Sequence, residues 1–400
     1  METDYAVGVT RKEGIRYSWY RLPDGTEGKA HIMSGHLPKG ARFIMKDGLH
    51  YPNHTAADFY HHYQEDIGLL AEMGFKALNI TVSWARIYPN GVSGGVNPKG
   101  VEFYRNVLLE CRKHHIEPIV TFYKYDMPAF YIDQLGGWSN RKLIDEFVTF
   151  CKLCLKEYKG LAKYWNTFNE INVPFLMCLR DDASQEDIQL TYEELHNQLV
   201  ASARVVKLAH EIDPENKVGC MCCGIFAYPA TCDPKDFLLM QRTAQKCFYS
   251  CSDVFVRGYY PAYALRIMEE QGVKLEISEA DKADLMAGKV DYMAFSYYSS
   301  NTVTTHTQGE QTAGNMMAGG KNPYLEASAW GWQIDPTGLK RALHELYDRY
   351  QIPLLIIENG LGAEDTLETD GSVHDPYRIE YMSKHIAAMK EAVEEGVDLF

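Results

Sequence analysis

The sequence lacks an apolar run long enough to cross a membrane, for which ~18 consecutive apolar residues are needed. It also lacks the basic and apolar regions of a signal peptide. The first five residues, Met1-Glu2-Thr3-Asp4-Tyr5, carry two acidic side chains and no basic one. Both absences predict a protein of the cytoplasm.

An excess of positive charge is missing as well. The chain has 40 lysine and arginine residues against 54 aspartate and glutamate residues, which gives a formal net charge of −14. A protein that binds nucleic acid or an anionic membrane surface usually presents a basic patch to the phosphate groups. The charge balance therefore predicts neither partner, and the sequence leaves the oligomeric state open.

Motifs for cofactors and metal ions are absent. The sequence contains no glycine-rich phosphate loop and no dinucleotide-binding fingerprint. Its ten cysteines are scattered, and the closest group, Cys220, Cys222 and Cys223, has no second cysteine or histidine pair at metal-binding spacing. We expect reduced thiols in the core, and an enzyme that uses neither a metal nor a cofactor.

The sequence does contain a regular alternation of strand-like and helical segments. Apolar runs predict strands over Lys76–Trp84, Glu117–Tyr125, Tyr164–Glu170, Lys217–Phe226, Asp291–Ser299 and Leu354–Gly360. Helical patterns lie between them, which predicts a parallel sheet, and this many units predicts a closed barrel. The predicted fold is α/β, a (β/α)₈ barrel that forms one catalytic domain over residues 1–400.

The segment Val397–Phe400 has the pattern of an eighth strand at its beginning. A seven-stranded barrel would keep an open seam with two unpaired edges. The sequence therefore predicts either a barrel that is incomplete at strand 8 or one that closes in another way.

Two glutamates occupy similar positions at the ends of predicted strands. Glu170 closes the run that begins at Tyr164, and Glu358 closes the run that begins at Leu354. A carboxylate at the end of a buried strand is costly unless it is paired or functional. Two carboxylates that face one pocket are the apparatus of glycosidic bond cleavage. The structural alternative is a buried pair neutralised by arginine.

Around these glutamates the sequence resembles the family 1 glycoside hydrolases, which are retaining β-glycosidases built on a (β/α)₈ barrel. The segment Thr167-Phe168-Asn169-Glu170 is similar to the acid/base motif of that family, and Ile357-Glu358-Asn359-Gly360 is similar to its nucleophile motif. Supporting similarities occur at Asp58–Tyr63, Ser83–Pro89, Gly136–Trp138, Phe295–Tyr298 and Gly331–Pro336. The last two look most like the 6-phospho-β-glucosidase branch.

The resemblance implies a role for each matching residue. Glu358 would be the nucleophile, and Glu170 would protonate the leaving oxygen and then deprotonate water, with ~5–5.5 Å between the two carboxyl groups. Arg86 would keep Glu358 ionised by charge pairing, and Tyr298 would donate a hydrogen bond to it. Asn169 would bind the 2-hydroxyl group of the sugar. Trp138 and Trp332 would supply aromatic surface around the sugar, although a packing role is equally open for Trp332.

The sequence differs from the family at the residues that are expected to bind the sugar. Of the family's Gln-x-Glu-Gly segment on the first strand, only the last two residues have a counterpart, at Glu13-Gly14. The family's His-Phe-Asp-x-Pro segment reads Lys124-Tyr125-Asp126-Met127-Pro128. Lys124 thus replaces a sugar-binding histidine. Its charge would suit an anionic sugar such as a phosphorylated one, or it would form a salt bridge with a neighbouring carboxylate. The family's phosphate ligands belong to the eighth strand and the loop after it, beyond Phe400.

These observations predict a retaining hydrolase of small β-glycosides, most like a 6-phospho-β-glucosidase. The alternative is a barrel that binds a carbohydrate or another ligand with impaired turnover. The changes at the first strand and at Lys124 favour this alternative, and the presence of both glutamates with Arg86, Asn169 and Tyr298 opposes it.

Overall fold

The centre of the molecule is a parallel sheet of six strands. The computed structural model describes residues 10–12, 15–31, 40–177, 183–307, 309–313 and 319–400. The strands are β1 (Ala77–Thr81), β2 (Glu117–Tyr123), β3 (Tyr164–Phe168), β4 (Lys217–Cys223), β5 (Tyr292–Tyr297) and β6 (Leu354–Asn359). Each strand pairs with the next one along the chain, which is the strand order of a (β/α)₈ barrel.

Each step from one strand of this sheet to the next passes through at least one helix, because a parallel pair needs a crossover connection. The helices span Pro52–Thr55, Phe59–Glu72, Trp84–Ile87, Pro98–Lys113, Ala129–Leu135, Lys142–Glu157, Val173–Met177, Gln185–Ile212, Pro234–Ala244, Gln245–Tyr249, Ser250–Arg257, Ala262–Glu270, Glu279–Ala287, Pro336–Tyr350 and Pro376–Glu394. Within the described part of the chain, none of them is both long and apolar enough to cross a bilayer.

Apolar side chains cover both faces of the sheet. On one face Ile119 of β2 joins the same buried cluster as Met221 of β4 and Leu355 of β6, so the sheet curls around this cluster. On the other face a much larger cluster, which includes Phe122 and Trp165, packs against the helices. Strands buried on both faces read as continuous apolar runs, which explains why the sequence reveals them so clearly.

All six predicted strands are present, and they end earlier than predicted. The strand predicted over Glu117–Tyr125 ends at Tyr123, and the one predicted over Tyr164–Glu170 ends at Phe168. Beyond these points the backbone turns out of the sheet, with left-handed φ angles of 63° at Tyr125 and 44° at Glu170. The polar ends of the apolar runs are therefore loop residues at the carboxyl edge of the sheet.

Two smaller sheets flank the parallel one. An antiparallel sheet near the N-terminus contains Thr10–Lys12, Ile15–Arg21, Glu27–His31 and Arg42–Ile44, and a second sheet contains Phe226–Pro229, Ser300–Val303, Gln311–Thr312 and Gly319–Gly320. The predicted strand Lys217–Phe226 is thus divided. The division falls at Gly224, where a Cβ atom would lie 2.0 Å from the carbonyl oxygen of Ser296. Glu13-Gly14, the partial match to the first-strand segment of the family, lies outside the described residues.

The last residues of the chain extend the parallel sheet beyond β6. Leu399 forms a parallel bridge with Leu354, whose backbone N–H donates to the carbonyl oxygen of Asp398 at 2.8 Å. This pairing agrees with the prediction that a further strand begins at Val397.

A buried ion cluster connects three of the helices, Ser250–Arg257, Ala262–Glu270 and Pro336–Tyr350. Asp253, on the helix Ser250–Arg257, is fully buried. Arg349 donates to both of its carboxylate oxygens, at 3.0 and 2.7 Å. The hydroxyl groups of Tyr350 and Tyr263 donate to the same carboxylate at 3.0 and 2.6 Å. The cluster therefore connects this helix to the end of the helix Pro336–Tyr350.

Replacing Asp253 by alanine will lower the free energy of unfolding by about 3–5 kcal/mol, because it leaves the partners of a buried charge uncompensated. Denaturant unfolding followed by circular dichroism measures the loss. Tyr263→Phe is the matched control, since it removes one hydrogen bond to the same carboxylate and costs about 1 kcal/mol. Equal losses in the two variants would show that the ion cluster does not hold the helices.

Candidate active site

Glu170 lies in the loop that follows β3 at the carboxyl edge of the parallel sheet. Its side chain is buried, with 6% of the residue exposed. The hydroxyl of Ser296 donates to its Oε1 atom at 2.8 Å, and the hydroxyl of Tyr125 donates to its Oε2 atom at 3.2 Å. Both oxygens of this carboxyl group are therefore held by donors from other strands or loops.

Glu358 lies near the end of β6, next to a β-bulge. The pairing of β5 with β6 shifts between Phe295 and Ser296, which places Ser296 beside Glu358. Tyr298 donates its hydroxyl to the Oε2 atom of Glu358 at 2.7 Å, and Lys124 donates its ammonium group to the Oε1 atom at 2.8 Å. The Glu358 side chain is 20% exposed, so it is more accessible than Glu170.

Ser296 joins the two glutamates. It is the register partner of Glu358 in the sheet, and its hydroxyl donates to Glu170. The backbone N–H of Gly224 donates to the Ser296 oxygen at 3.2 Å, and a serine hydroxyl has one proton, which this arrangement directs at Glu170. The two carboxyl groups therefore open onto the same edge of the sheet, as the sequence predicts.

The environment of Glu170 favours its protonated form. Burial raises the pKa of Glu170, and the negative charge of Glu358 raises this pKa further, whereas hydrogen bonds from Ser296, Cys223 and Tyr125 act in the opposite direction. A carboxylic acid with a raised pKa keeps its proton closer to neutral pH and loses it as the pH rises through that value. This is the behaviour required of a general acid.

Asn169 is buried beside Glu170, with 2% of the residue exposed. Neither polar atom of its side-chain amide finds a hydrogen-bond partner among the described residues. Buried amides are rarely left in this state, and a ligand hydroxyl would supply the partner. A contact between Asn169 and the sugar 2-hydroxyl stays a prediction that this placement favours.

Lys124 has the second of the two roles left open by the sequence. It forms a salt bridge with a neighbouring carboxylate, and that carboxylate is Glu358. The guanidinium group of Arg86 lies over the rings of Tyr60 and Phe103, 4.7 and 4.8 Å from their centroids. The described ion pair of Glu358 is thus made by Lys124, and a contact of Arg86 with Glu358 stays a prediction.

The two tryptophans predicted near the sugar occupy different environments. Trp138 is 4% exposed and packs against Trp84 and Phe168, with ring centroids 6.1 and 5.4 Å away. Trp332 lies edge-on to Tyr298, with centroids 5.7 Å apart, and so borders the site. Trp138 has a packing position, and a sugar contact stays a prediction for both residues.

Sequence reasoning missed two residues that contact the glutamates. Tyr125 is the neighbour of Lys124 in the segment that departs from the family pattern, and Ser296 lies two residues before Tyr298. Both residues could have been found from the sequence, because each lies in a segment that resembles a family motif of the active site. Their targets became visible only from the left-handed turn at Tyr125 and from the register of β5 with β6.

Comparison with known proteins agrees with this geometry. The model of Glycosyl hydrolase family 1 matches residues 26–400. The chain belongs to this family. Among curated proteins it is 42% identical over 376 residues to the 6-phospho-beta-glucosidase AscB of Escherichia coli, which is 92% of this chain and 79% of the relative. It is 45% identical over 353 residues to the aryl-phospho-beta-D-glucosidase BglH of Bacillus subtilis, which is 86% of this chain and 75% of the relative.

A solved structure of the family has the same fold. The family 1 β-glucosidase from Thermotoga maritima superimposes with a TM-score of 0.76 at 29% sequence identity, over 91% of this chain and 80% of that one. The family 1 enzyme described here is therefore a (β/α)₈-barrel glycosidase that hydrolyses O-glycosyl bonds. Strands β1–β6 are consecutive strands of that barrel.

Proposed function

We propose that this family 1 enzyme hydrolyses 6-phospho-β-glucosides with retention of configuration, and that Glu358 and Glu170 carry out the reaction. The observation that carries the proposal is the pair of glutamates at one edge of the sheet, one buried and favoured in its acid form and the other more exposed and held by two donors. Retaining glycosidases divide the chemistry between two carboxyl groups in this way.

In the first step a carboxylate oxygen of Glu358 attacks the anomeric carbon and forms an ester bond with the sugar. The bond from the anomeric carbon to the leaving oxygen breaks with its electron pair, and that oxygen takes the proton of Glu170. In the second step Glu170 removes a proton from water, the water oxygen attacks the anomeric carbon, and Glu358 leaves as a carboxylate. Two inversions give net retention.

The environments of the two glutamates support this division of roles. Glu170 has the burial and the negative neighbour that keep an acid protonated until the leaving group needs the proton. Once Glu358 is esterified its negative charge is gone, so Glu170 is more easily ionised and serves as the base. Tyr298 and Lys124 donate hydrogen bonds to Glu358, and Asn169 supplies an amide for a sugar hydroxyl.

The preference for a phosphorylated sugar rests on the similarity to relatives of this family. The relatives described above are named for phosphorylated substrates, as 6-phospho-beta-glucosidase and aryl-phospho-beta-D-glucosidase.

We also place the enzyme in the cytoplasm. Nine of its ten cysteines lie within the described residues, and all nine are free thiols, most of them buried. Disulfides are rare in cytosolic proteins because the thiols there are kept reduced.

A second candidate function is carbohydrate binding with little turnover. The ion pair between Lys124 and Glu358 favours it, because the ammonium group lies 2.8 Å from an oxygen of the nucleophile. A lysine that stayed in this position would compete with the anomeric carbon for Glu358.

Incubation with aryl β-glycosides separates these two functions. The panel contains the 6-phosphoglucoside, the glucoside, the galactoside and the glucuronide, with Glu358→Gln as the control. We expect aryl release from the 6-phosphoglucoside, with the highest kcat/KM of the panel, and its loss in the control. If a wild-type protein that unfolds cooperatively releases no aryl group from any of the four glycosides, the hydrolase proposal is wrong and carbohydrate binding becomes the proposed function.

A further inference from the structure

Lys124 and Tyr125 are adjacent in sequence, and each contacts a different catalytic glutamate. The ammonium group of Lys124 lies 2.8 Å from Oε1 of Glu358, and the hydroxyl of Tyr125 lies 3.2 Å from Oε2 of Glu170. These are also the two positions at which the segment differs from the His-Phe pair of the family. One altered dipeptide therefore reaches both members of the carboxylate pair.

The backbone explains how neighbouring side chains reach two different targets. Tyr125 has a φ angle of 63°, which is uncommon for a residue with a Cβ atom and turns the chain sharply at this point. The segment is anchored beside Glu170, because the backbone N–H of Asn169 donates to the carbonyl oxygen of Tyr123 at 2.8 Å. The Tyr125 ring packs against the cluster that contains Val173 and Cys223, which fixes its direction.

We propose that Lys124 and Tyr125 are positioning residues that hold Glu358 and Glu170 and together set the pH range in which the pair is active. Tyr125 donates to Glu170 and so stabilises its ionised form. Lys124 offsets the negative charge of Glu358, which otherwise favours the protonated form of Glu170. Both contacts therefore oppose the effect of burial and place the loss of the Glu170 proton at a lower pH. The inference rests on the proposed function, in which Glu170 must be protonated for the first step.

Few other groups around the glutamates can change charge near neutral pH. Glu170 is faced by Ser296 from β5, by the Cys223 thiol from β4 and by Glu358 from β6. Burial raises the pKa of Cys223, and it does the same for the hydroxyl groups of Tyr125 and Tyr298, so these groups stay neutral. Burial raises the pKa of Asp126, the next residue in the segment, to about 7, so this carboxyl group also changes its charge near neutral pH. Among the described neighbours, the charge balance is therefore set by the two glutamates, Lys124 and Asp126.

The test is the pH dependence of kcat/KM in Tyr125→Phe and Lys124→Gln. The high-pH limb of this profile reports the loss of the Glu170 proton in the free enzyme. We expect the midpoint of this limb to move to higher pH, by about 0.5 to 1 pH unit, in each variant. The double variant Lys124→His/Tyr125→Phe, which restores the residues of the family, should move it at least as far.

Matched controls come from equivalent contacts away from the site. Tyr263→Phe removes a hydroxyl that donates to the buried carboxylate of Asp253, and Lys340→Gln removes a surface ammonium group paired with Glu391 and Glu395. Neither control should move the limb. If Tyr125→Phe and Lys124→Gln lower kcat/KM equally at every pH, without a shift, their role is merely structural and the inference is wrong.

A titration that needs no substrate separates this inference from the proposed function. Glutamate labelled with ¹³C at the δ-carboxyl carbon reports the ionisation of Glu170 by NMR, and Glu170→Gln assigns the signal. We expect the midpoint to rise by about 0.5 to 1 pH unit in Tyr125→Phe and in Lys124→Gln. If no glycoside is cleaved, the proposed function fails and this midpoint still decides the inference. An unchanged midpoint in both variants overturns it.

Discussion

Replacing Glu358 by alanine will lower kcat for an aryl β-glycoside by on the order of 10⁴-fold or more, because no other group can form the glycosyl ester. The side chain is partly exposed and the change removes an acceptor of two hydrogen bonds, so the protein should still fold. The measurement is initial-rate kinetics, with Glu391→Ala as a control that removes a surface glutamate whose described ion pair is with Lys340.

Added azide or formate should partly restore turnover in Glu358→Ala. These anions fit the space left by the carboxylate and attack the anomeric carbon from the same side as Glu358. A single displacement inverts the configuration, so ¹H NMR should show an α-configured adduct with azide. If kcat falls by less than tenfold, or if the rescued product keeps its β configuration, Glu358 is not the nucleophile.

Replacing Glu170 by alanine will have an effect that depends on the leaving group. An aryl group derived from an acidic phenol leaves without protonation, so formation of the glycosyl-enzyme should be nearly unchanged for a dinitrophenyl glycoside. A glycoside with a poorly acidic alcohol needs the proton, and its kcat/KM should fall by about 10²- to 10⁴-fold. Pre-steady-state and steady-state kinetics with the two substrates measure the contrast.

The same variant should also lose the high-pH limb of kcat/KM that the wild type shows with the glycoside of the poorly acidic alcohol. In the wild type, activity falls as the pH rises through the raised pKa of Glu170, because the acid form is lost. Ser296→Ala is the companion variant, since it keeps the carboxyl group and removes the hydroxyl that donates to it. Equal losses for both leaving groups in Glu170→Ala would contradict the role of Glu170 as the acid.

Much of the fold and the centre of the site could be predicted from the sequence. The six strands are apolar on both faces, which makes them continuous runs that need no knowledge of pairing. Glu170 and Glu358 follow from such runs and from their similarity to the family motifs, and the hydrogen bond from Tyr298 to Glu358 is present as predicted. Each of these features depends on residues that are close together in the sequence, so a local sequence pattern is enough to predict it.

The residues that surround the glutamates depend on geometry that no local pattern reveals. Ser296 reaches Glu170 because β5 and β6 pair in a particular register, and Tyr125 reaches it because the backbone turns at a left-handed residue. The sequence leaves the target of Lys124 open between an anionic ligand and a carboxylate, since both attract an ammonium group. The structure supplies the carboxylate, and the partner is Glu358, the proposed nucleophile.

The β-bulge between β5 and β6 decides which way Glu358, the proposed nucleophile, faces. Leu355 and the partly buried Ile357 pack in the cluster around which the sheet curls. Strict alternation of side chains along β6 would therefore point Glu358 to the opposite face, towards the helices. The bulge makes Ile357 and Glu358 consecutive inward residues, as the pairing of Glu358 with Ser296 requires. The proposed role of Glu358 thus depends on the parity of one strand.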